Sequence, residues 1–404
     1  MAASDKFIEK RAAITGVGQS DIGRRLDRDP LELTLDACLA AIADAGLTPK
    51  DIDGLSTYPG LAPAGAKGFT GAGAYDVIDA LRLNVGWYDS GLETSGQLGS
   101  VIKACLAVGA GLATHVVCFR SVWEGSAQGS GGRASIGMGA GAGEGFYASG
   151  FMEWMLPYAS ASAACWIAMY ATAHMHRYGT TTEQLAQIAL NARRNAELNP
   201  KAIYRTPMTM DDYLAARMVT TPLRLFDCDV PCDGGTAIVV SRADAAHDLR
   251  KTPINVEAVG TALHDRPSWD QLRDLTRLPA SDAGAQLWSR TDLTPKDVQI
   301  AELYDGFSIL TMFWLEALGL CPVGESGPFI EGGSRIAREG QLPLNTHGGQ
   351  LSAGRLHGYG FLHEACTQLW GEAGDRQVAK PLEVAAVAAG GGNTCGCMLL
   401  TKGR

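Results

Sequence analysis

Two short stretches in the second half of the chain gather side chains that could move protons. Tyr304 and Asp305 are adjacent, and a Gly-punctuated run further on carries Asn345, His347, Arg355, His357 and Tyr359. A tyrosine can serve as acid or base if a neighbouring cation or donor lowers its pKa from about 10. A histidine can hold a developing oxyanion, and an arginine can pair with an anionic ligand. An aldol or retro-aldol step needs three such functions. A base takes a hydroxyl proton, donors hold an enolate oxygen, and an acid protonates the released carbon. Each candidate also has a plainer reading. Tyr304 can be a rim tyrosine at a strand end, and Asp305 can cap the helix that follows. His347 can bond to backbone. Arg355 can pair with Asp305 or form a surface salt bridge. His357, two residues from Arg355, would point elsewhere on a helix, which favours a structural role.

Other reactive types are less organised. Thr94 and Ser95 could bond a substrate or cap a helix opening at Gly96. Of the ten cysteines, only Cys228/Cys232 and Cys395/Cys397 are close together, and neither pair makes a metal framework. Reduced, mostly buried thiols in a cytoplasmic protein are expected. His174 and His176 diverge on a helix, so no metal pair is expected there. Gly16-Val17-Gly18 begins like a dinucleotide loop, but its third glycine would fall at Asp21, so the signal is weak.

The elements that must position these residues occur twice. Leu47-Thr48-Pro49-Lys50-Asp51-Ile52 recurs as Leu293-Thr294-Pro295-Lys296-Asp297-Val298. Each copy predicts a Thr-capped turn with Pro at its first position, leading into a strand, 52–58 or 300–304. Upstream of each lies a strand ending in Val-Gly, 12–18 or 254–260. A helix over 30–45 follows the first, and a weaker one over 269–283 the second. Gly96-Gln97-Leu98-Gly99 and Gly349-Gln350-Leu351-Ser352 each open a further helix, running to about 112 and 370. Strands over 115–120 and 382–388 come next. Each half closes on a Gly turn, Gly234-Gly235-Thr236 or Gly391-Gly392-Asn393, and a last strand. Six features in one order imply duplication and mixed sheets between helices. The stretch between 115 and 227 has no counterpart in the second half. It holds a Gly/Ser/Ala/Met segment over 125–145, expected as a mobile loop, and an aromatic, Met-rich segment over 146–178. A net charge of −9 argues against nucleic acid as partner. The charged first eleven residues predict no secretory signal, and no apolar run is long enough for a membrane span.

Two β-α-β-α-β units with Gly turns before each final strand resemble the thiolase superfamily, in particular its sterol-carrier branch. Glu302-Leu303-Tyr304-Asp305-Gly306-Phe307-Ser308 stands where that branch carries His-Asp-Cys-Phe-Ser. Its Asn-x-x-Gly-Gly turn is Asn345-Thr346-His347-Gly348-Gly349, and 191–200 and 222–235 are similar too. The resemblance implies an α/β thiolase-like fold in α-β-α-β-α layers. The halves would be 1–242, with an insertion at about 121–226, and 243–404. The chemical groups depart together. Glu93-Thr94-Ser95-Gly96 replaces the nucleophilic Cys, Gly354-Arg355-Leu356 replaces Gly-His-Pro, and Ala388-Ala389-Gly390 replaces Cys-x-Gly. Tyr304 stands in for the His.

This pattern resembles the thiolase-like aldolases of steroid side-chain degradation, which substitute tyrosine for catalytic residues. The resemblance implies retro-aldol cleavage of a bulky β-hydroxyacyl-CoA to a ketone and a shorter acyl-CoA. Coenzyme A thioester would be the substrate, with no bound cofactor or metal. A small OB-fold and zinc-ribbon partner and a homodimer built through the first-half sheet are also implied. The catalytic set would be Tyr304, Asp305, His347, Arg355 and Tyr359. Thr94, Ser95, Asn345, His357 and Gly391 would lie against substrate. Arg355 departs where a second tyrosine is expected, and Tyr359, one turn on, could replace it. An acyl-CoA thiolase (acetyl-CoA acyltransferase) with an unexpected nucleophile, or a non-catalytic acyl-CoA- or lipid-binding scaffold, are the alternatives.

Overall fold

The repeated Leu-Thr-Pro-Lys-Asp segments fold the same way twice. In the computed structural model, Asp51 accepts from the Thr48 amide at 2.8 Å and its hydroxyl at 2.7 Å. Asp297 accepts from the Thr294 amide at 2.7 Å and hydroxyl at 2.8 Å. The structure describes residues 6–59, 68–91, 96–128, 152–160, 162–265, 268–269, 271–390 and 394–403.

The first half runs β1 (Ala12–Gln19), α1 (Pro30–Asp44), β2 (Gly54–Thr57), α2 (Ala74–Leu81), β3 (Trp87–Ser90), α3 (Gly99–Gly109) and β4 (His115–Trp123). An insertion supplies α4 (Ala163–Tyr178) and α5 (Thr182–Ala196), and β5 (Asp233–Arg242) completes the half. The second half runs β6 (Ile254–Ala262), α6 (Ala280–Trp288), β7 (Ile300–Leu303), α7 (Ser308–Ala317), α8 (Tyr359–Trp370), β8 (Val384–Gly390) and β9 (Cys395–Lys402).

These nine strands form one sheet in the order β3-β2-β4-β5-β1-β6-β9-β8-β7, and Met218–Thr220 and Leu223–Arg224 make a separate small ribbon. Read outward from the middle, each half repeats one topology. β1 pairs antiparallel with β5, β5 antiparallel with β4, and β4 parallel with β2. β6, β9, β8 and β7 do the same. The two half-sheets are joined by a short ladder of two residue pairs, Ala13↔Asn255 and Ile14↔Ile254. So short a seam lets the half-sheets face each other over helices. α3 and α8 fill that middle layer, and α8 touches β7 and β8 of its own half and β1 and β5 of the other. α1 and α2 cover the outer face of the first half-sheet, and α6 packs on β6 and β9. The glycine ending each Val-Gly pair lets a helix backbone close on its strand. A Cβ at Gly18 would lie 2.5 Å from the Ala37 carbonyl oxygen, and one at Gly260 2.0 Å from that of Ala283. The Gly16-Val17-Gly18 run is thus buried strand rather than a dinucleotide loop.

Three expectations differ in detail. The helix expected over 269–283 lies at Ala280–Trp288, because Pro279 inside that window can only precede a helix. The helix expected from Gly349 to Trp370 is broken. A wide turn over Gly349–Ala353 is followed by positive φ at Gly354, His357 and Gly358, and only then by α8. Gly234 and Gly235 lie within β5 rather than before it. Most of the segment expected as a loop over 125–145 lies outside the described residues, whereas Ala163–Tyr178 is helical as the aromatic segment allowed. No disulfide joins any of the ten cysteines; Cys165 and Cys228 are half-buried and the others buried.

Candidate active site

The end of β7 meets the 345–349 turn through Asn345. Its Oδ1 accepts from the Leu303 amide at 2.7 Å, and its Nδ2 donates to the Leu303 carbonyl at 2.8 Å. The amide is thus committed to backbone, in a residue held at φ 50°. The insertion anchors the same turn. Asn191 donates to the Leu344 carbonyl at 2.9 Å, Asn195 to the Asn345 carbonyl at 3.1 Å, and Asn199 to the His347 carbonyl at 2.9 Å.

This clamp sets His347 against Glu302. His347 Nδ1 lies 3.0 Å from Glu302 Oε2, while Glu302 Oε1 accepts from the Thr346 amide and hydroxyl, each at 2.9 Å. Burial alone would lower the His347 pKa, but the Glu302 contact outweighs it and the pKa is raised. Burial raises the Glu302 pKa. Glu364 Oε1 also lies 2.9 Å from the Thr346 hydroxyl oxygen, and Arg376 pairs with Glu364 at 2.9 Å. His347 opens on a cleft with about 400 Å³ of free space, part of it reaching solvent, lined also by Gln19, Asn199, Gln350, Phe361 and His363.

Asp305 caps neither α7 nor pairs with Arg355. Its Oδ1 accepts from the Gln350 amide at 2.7 Å, and its Oδ2 has no hydrogen-bond partner. Burial pushes its pKa up to about 7. Gln350 in turn accepts from the His357 amide at 2.8 Å, so Asp305 fixes the approach to the 354–358 turn.

Tyr304 is 8% exposed, and its amide donates to the Ala388 carbonyl at 2.9 Å. Its ring folds over Gly306, where a Cβ would lie 2.6 Å from the Tyr304 hydroxyl. Phe361 packs between two candidates, with its centroid 6.2 Å from Tyr304 and 5.2 Å from His347. Arg355 is taken up by Glu124 at 2.9 Å and Asp229 at 3.1 Å. The expected facing of Tyr304 by Tyr359 gives way to another contact. The Tyr359 hydroxyl meets Ser100 Oγ at 2.7 Å, and burial raises its pKa well above that of a free tyrosine. His357 is buried, its carbonyl accepting from the Tyr58 hydroxyl at 2.6 Å and its ring 4.8 Å from Phe69. The structure thus gathers Tyr304, Asp305, Asn345 and His347 around one strand end and places Arg355 and Tyr359 on separate contacts. Thr94, Ser95 and Gly391 lie outside the described residues.

Sequence reasoning passed over Glu302, Gln350 and the pairing of Arg355 with Glu124 and Asp229. Glu302 was legible, because it precedes Tyr304 by two residues and strand alternation puts both on one face. The other contacts cross between distant segments and leave no local signal.

The thiols bear on the chemistry directly. Burial raises the thiol pKa of Cys105 and of Cys395 to about 12 and that of Cys397 well above its usual value. A nucleophilic cysteine needs the opposite shift. No cluster of metal-ligating side chains occurs among the described residues. No helix among them is long and apolar enough to cross a membrane.

A family model described as "Thiolase C-terminal domain-like" matches residues 261–400. A "Steroid side-chain-cleaving aldolase" of Thermomonospora curvata is 36% identical over 88% of this chain and 89% of its own. A "17-hydroxy-3-oxo-4-pregnene-20-carboxyl-CoA lyase" of Mycobacterium tuberculosis is 34% identical over 90% of this chain and 93% of its own. Among solved structures, a chain described as "Ltp2-ChsH2(DUF35) aldolase" superposes with a TM-score of 0.84 at 32% identity, covering 98% of both chains. An acetyl-CoA acetyltransferase from Syntrophomonas wolfei shares the fold, with a TM-score of 0.68 at 14% identity over 96% of this chain and 98% of its own. The chain belongs to the thiolase-like family, within its aldolase branch.

Proposed function

We propose that the chain is a carbon–carbon lyase that cleaves a β-hydroxyacyl-CoA with a bulky, steroid-like acyl group into a ketone and a shorter acyl-CoA. The observation that carries this reading is the state of the thiols. Cys105, Cys395 and Cys397 are buried and held protonated, so none is poised to form an acyl-enzyme. Buried acid–base groups at the end of β7 suit a non-covalent route. A base takes the β-hydroxyl proton, the bond between the α- and β-carbons breaks, and its electron pair becomes the thioester enolate. The β-carbon becomes the ketone, and the α-carbon takes a proton. Tyr304 is the proposed acid–base residue, with Asp305 beside it. His347, backed by Glu302, would donate to the enolate oxygen. Arg355 and Tyr359 are assigned to shaping the second wall. Thr94, Ser95, Asn345, His357 and Gly391 are assigned to the substrate side, Asn345 through the turn it holds.

The working form would be a cytoplasmic homodimer in a heteromeric complex with a small OB-fold and zinc-ribbon subunit. The proposed division into halves is 1–242 and 243–404. Incubating the purified complex with a steroid-side-chain β-hydroxyacyl-CoA should release a ketone and a short acyl-CoA, read by mass spectrometry. Tyr304→Phe should lower turnover by about a hundredfold or more, in the range of a lost general acid–base group. Unchanged turnover in that variant sinks the assigned role. A covalent acyl adduct on the protein during turnover sinks the non-covalent route.

A further inference from the structure

Among the described residues, no carboxylate balances the charge of Arg120. It sits near the end of β4 and is 0% exposed. Its guanidinium donates to the carbonyls of Ser121 and Phe69, and its Nε has no hydrogen-bond partner. The described residues place no carboxylate within ion-pair distance of it. Two aromatic faces lie against it, with the guanidinium carbon 5.1 Å from the Tyr58 centroid and 4.8 Å from that of Phe69. A buried cation is costly unless it is paired, and ring faces and carbonyls compensate only part of that cost.

Arg355 provides an internal contrast. It lies over the same Phe69 ring, 5.8 Å from the centroid, yet has Glu124 and Asp229 as counter-ions. The leftover charge is therefore that of Arg120. Its aromatic neighbours reach the 354–358 turn, whose His357 amide is held by Gln350 beside the candidate site. The Tyr58 hydroxyl holds the His357 carbonyl, and Phe69 packs on the His357 ring. One shell of aromatic contacts thus separates an unbalanced cation from the 354–358 turn.

Resting on the reading of the chain as an acyl-CoA-cleaving aldolase, we infer that Arg120 is an electrostatic positioning residue for that reaction, its uncompensated charge stabilising the thioester enolate left when the carbon–carbon bond breaks. The negative charge exists only after the electron pair moves onto the thioester. A fixed buried cation therefore favours the transition state over the neutral ground state. Removing the charge should slow turnover with little effect on substrate binding.

The experiment compares Arg120→Met and Arg120→Lys with the wild-type protein in complex with its partner. Three readouts are taken: kcat and KM for cleavage, uptake of deuterium at the α-carbon of the short acyl-CoA product, and thermal midpoint. Arg120→Met should lower kcat and the exchange rate together by about ten- to a hundredfold. KM should stay within about twofold, and the midpoint should hold or rise because a costly buried charge is gone. Arg120→Lys should recover most of the rate. A structural clamp gives another pattern, in which Arg120→Met loses thermal midpoint and activity in parallel, and that result overturns the inference. Cleavage that Arg120→Met retains overturns it while leaving the aldolase reading intact. Exchange that depends on Arg120 in a protein unable to cleave supports the inference and rejects the cleavage reading. Absence of both cleavage and exchange in the wild-type protein rejects both.

Discussion

Asp305 keeps one oxygen on the Gln350 amide and the other, Oδ2, against the Cα of Gly349, where a Cβ would come within 1.8 Å of it. Its pKa rises from 3.8 to about 7 through burial. Between those values the native state holds a proton that the unfolded chain has released. Stability therefore falls as pH rises across that window and levels off above it. Asparagine mimics the protonated acid. Asp305→Asn should gain clearly more stability over the wild-type protein at about pH 7.5 than near pH 5, by urea denaturation. An equal gain at both pH values removes the argument. His347 shifts for the opposite reason, since Glu302 favours its charged form over the penalty of burial. Glu302→Gln should therefore lower the His347 pKa, read from ring proton shifts in a pH titration. No change would show that the contact is not what raises it.

Close approach of helix to strand is the device both halves share. Gly18 and Gly260 occupy equivalent places at the ends of β1 and β6, each under a helix backbone. Substituting alanine at Gly260 puts a methyl group onto the Ala283 carbonyl, which cannot swing aside as a side chain would. Gly260→Ala should cost at least about 2 kcal/mol, as overpacking of a core does, measured by chemical denaturation. A cost near zero would mean that α6 shifts freely on its sheet. The break after Gly349–Ala353 belongs to this scale too. Glycine and His357 at positive φ end the helical path and bring the Arg355–His357 backbone to the Val230 carbonyl and the Tyr58 hydroxyl.

At the scale of the whole molecule, β3 is the outermost strand of the first half-sheet. Tyr88 on it is 51% exposed and Tyr75 on α2 58%, with ring centroids 6.1 Å apart. An open edge with aromatic flanks invites pairing with another strand. The proposed homodimer would use this edge. Tyr88→Lys should then move the protein from dimer to monomer at micromolar concentration in sedimentation velocity. A monomeric wild-type protein under the same conditions contradicts the dimer.

Thr-Pro-Lys-Asp turns, Val-Gly strand ends and Gly-Gln-Leu openings are local signals, so the sequence by itself determined the duplicated α/β architecture. It also determined that no cysteine stands where a thiolase needs one, because absence from a motif is a statement about sequence alone. Boundaries failed where one residue overrode a pattern, as Pro279 did in the expected 269–283 helix. Only the tertiary structure decided which candidates meet. Tyr304, Asp305 and His347 converge because Asn345 staples β7 to a turn that three asparagines of the insertion hold from outside. Arg355 and Tyr359 are diverted to Glu124, Asp229 and Ser100, partners far away in the chain. Arg120 looked like any other strand residue until its burial was known. Charge balance and burial depend on which segments touch, and pattern and spacing along one chain do not carry that information.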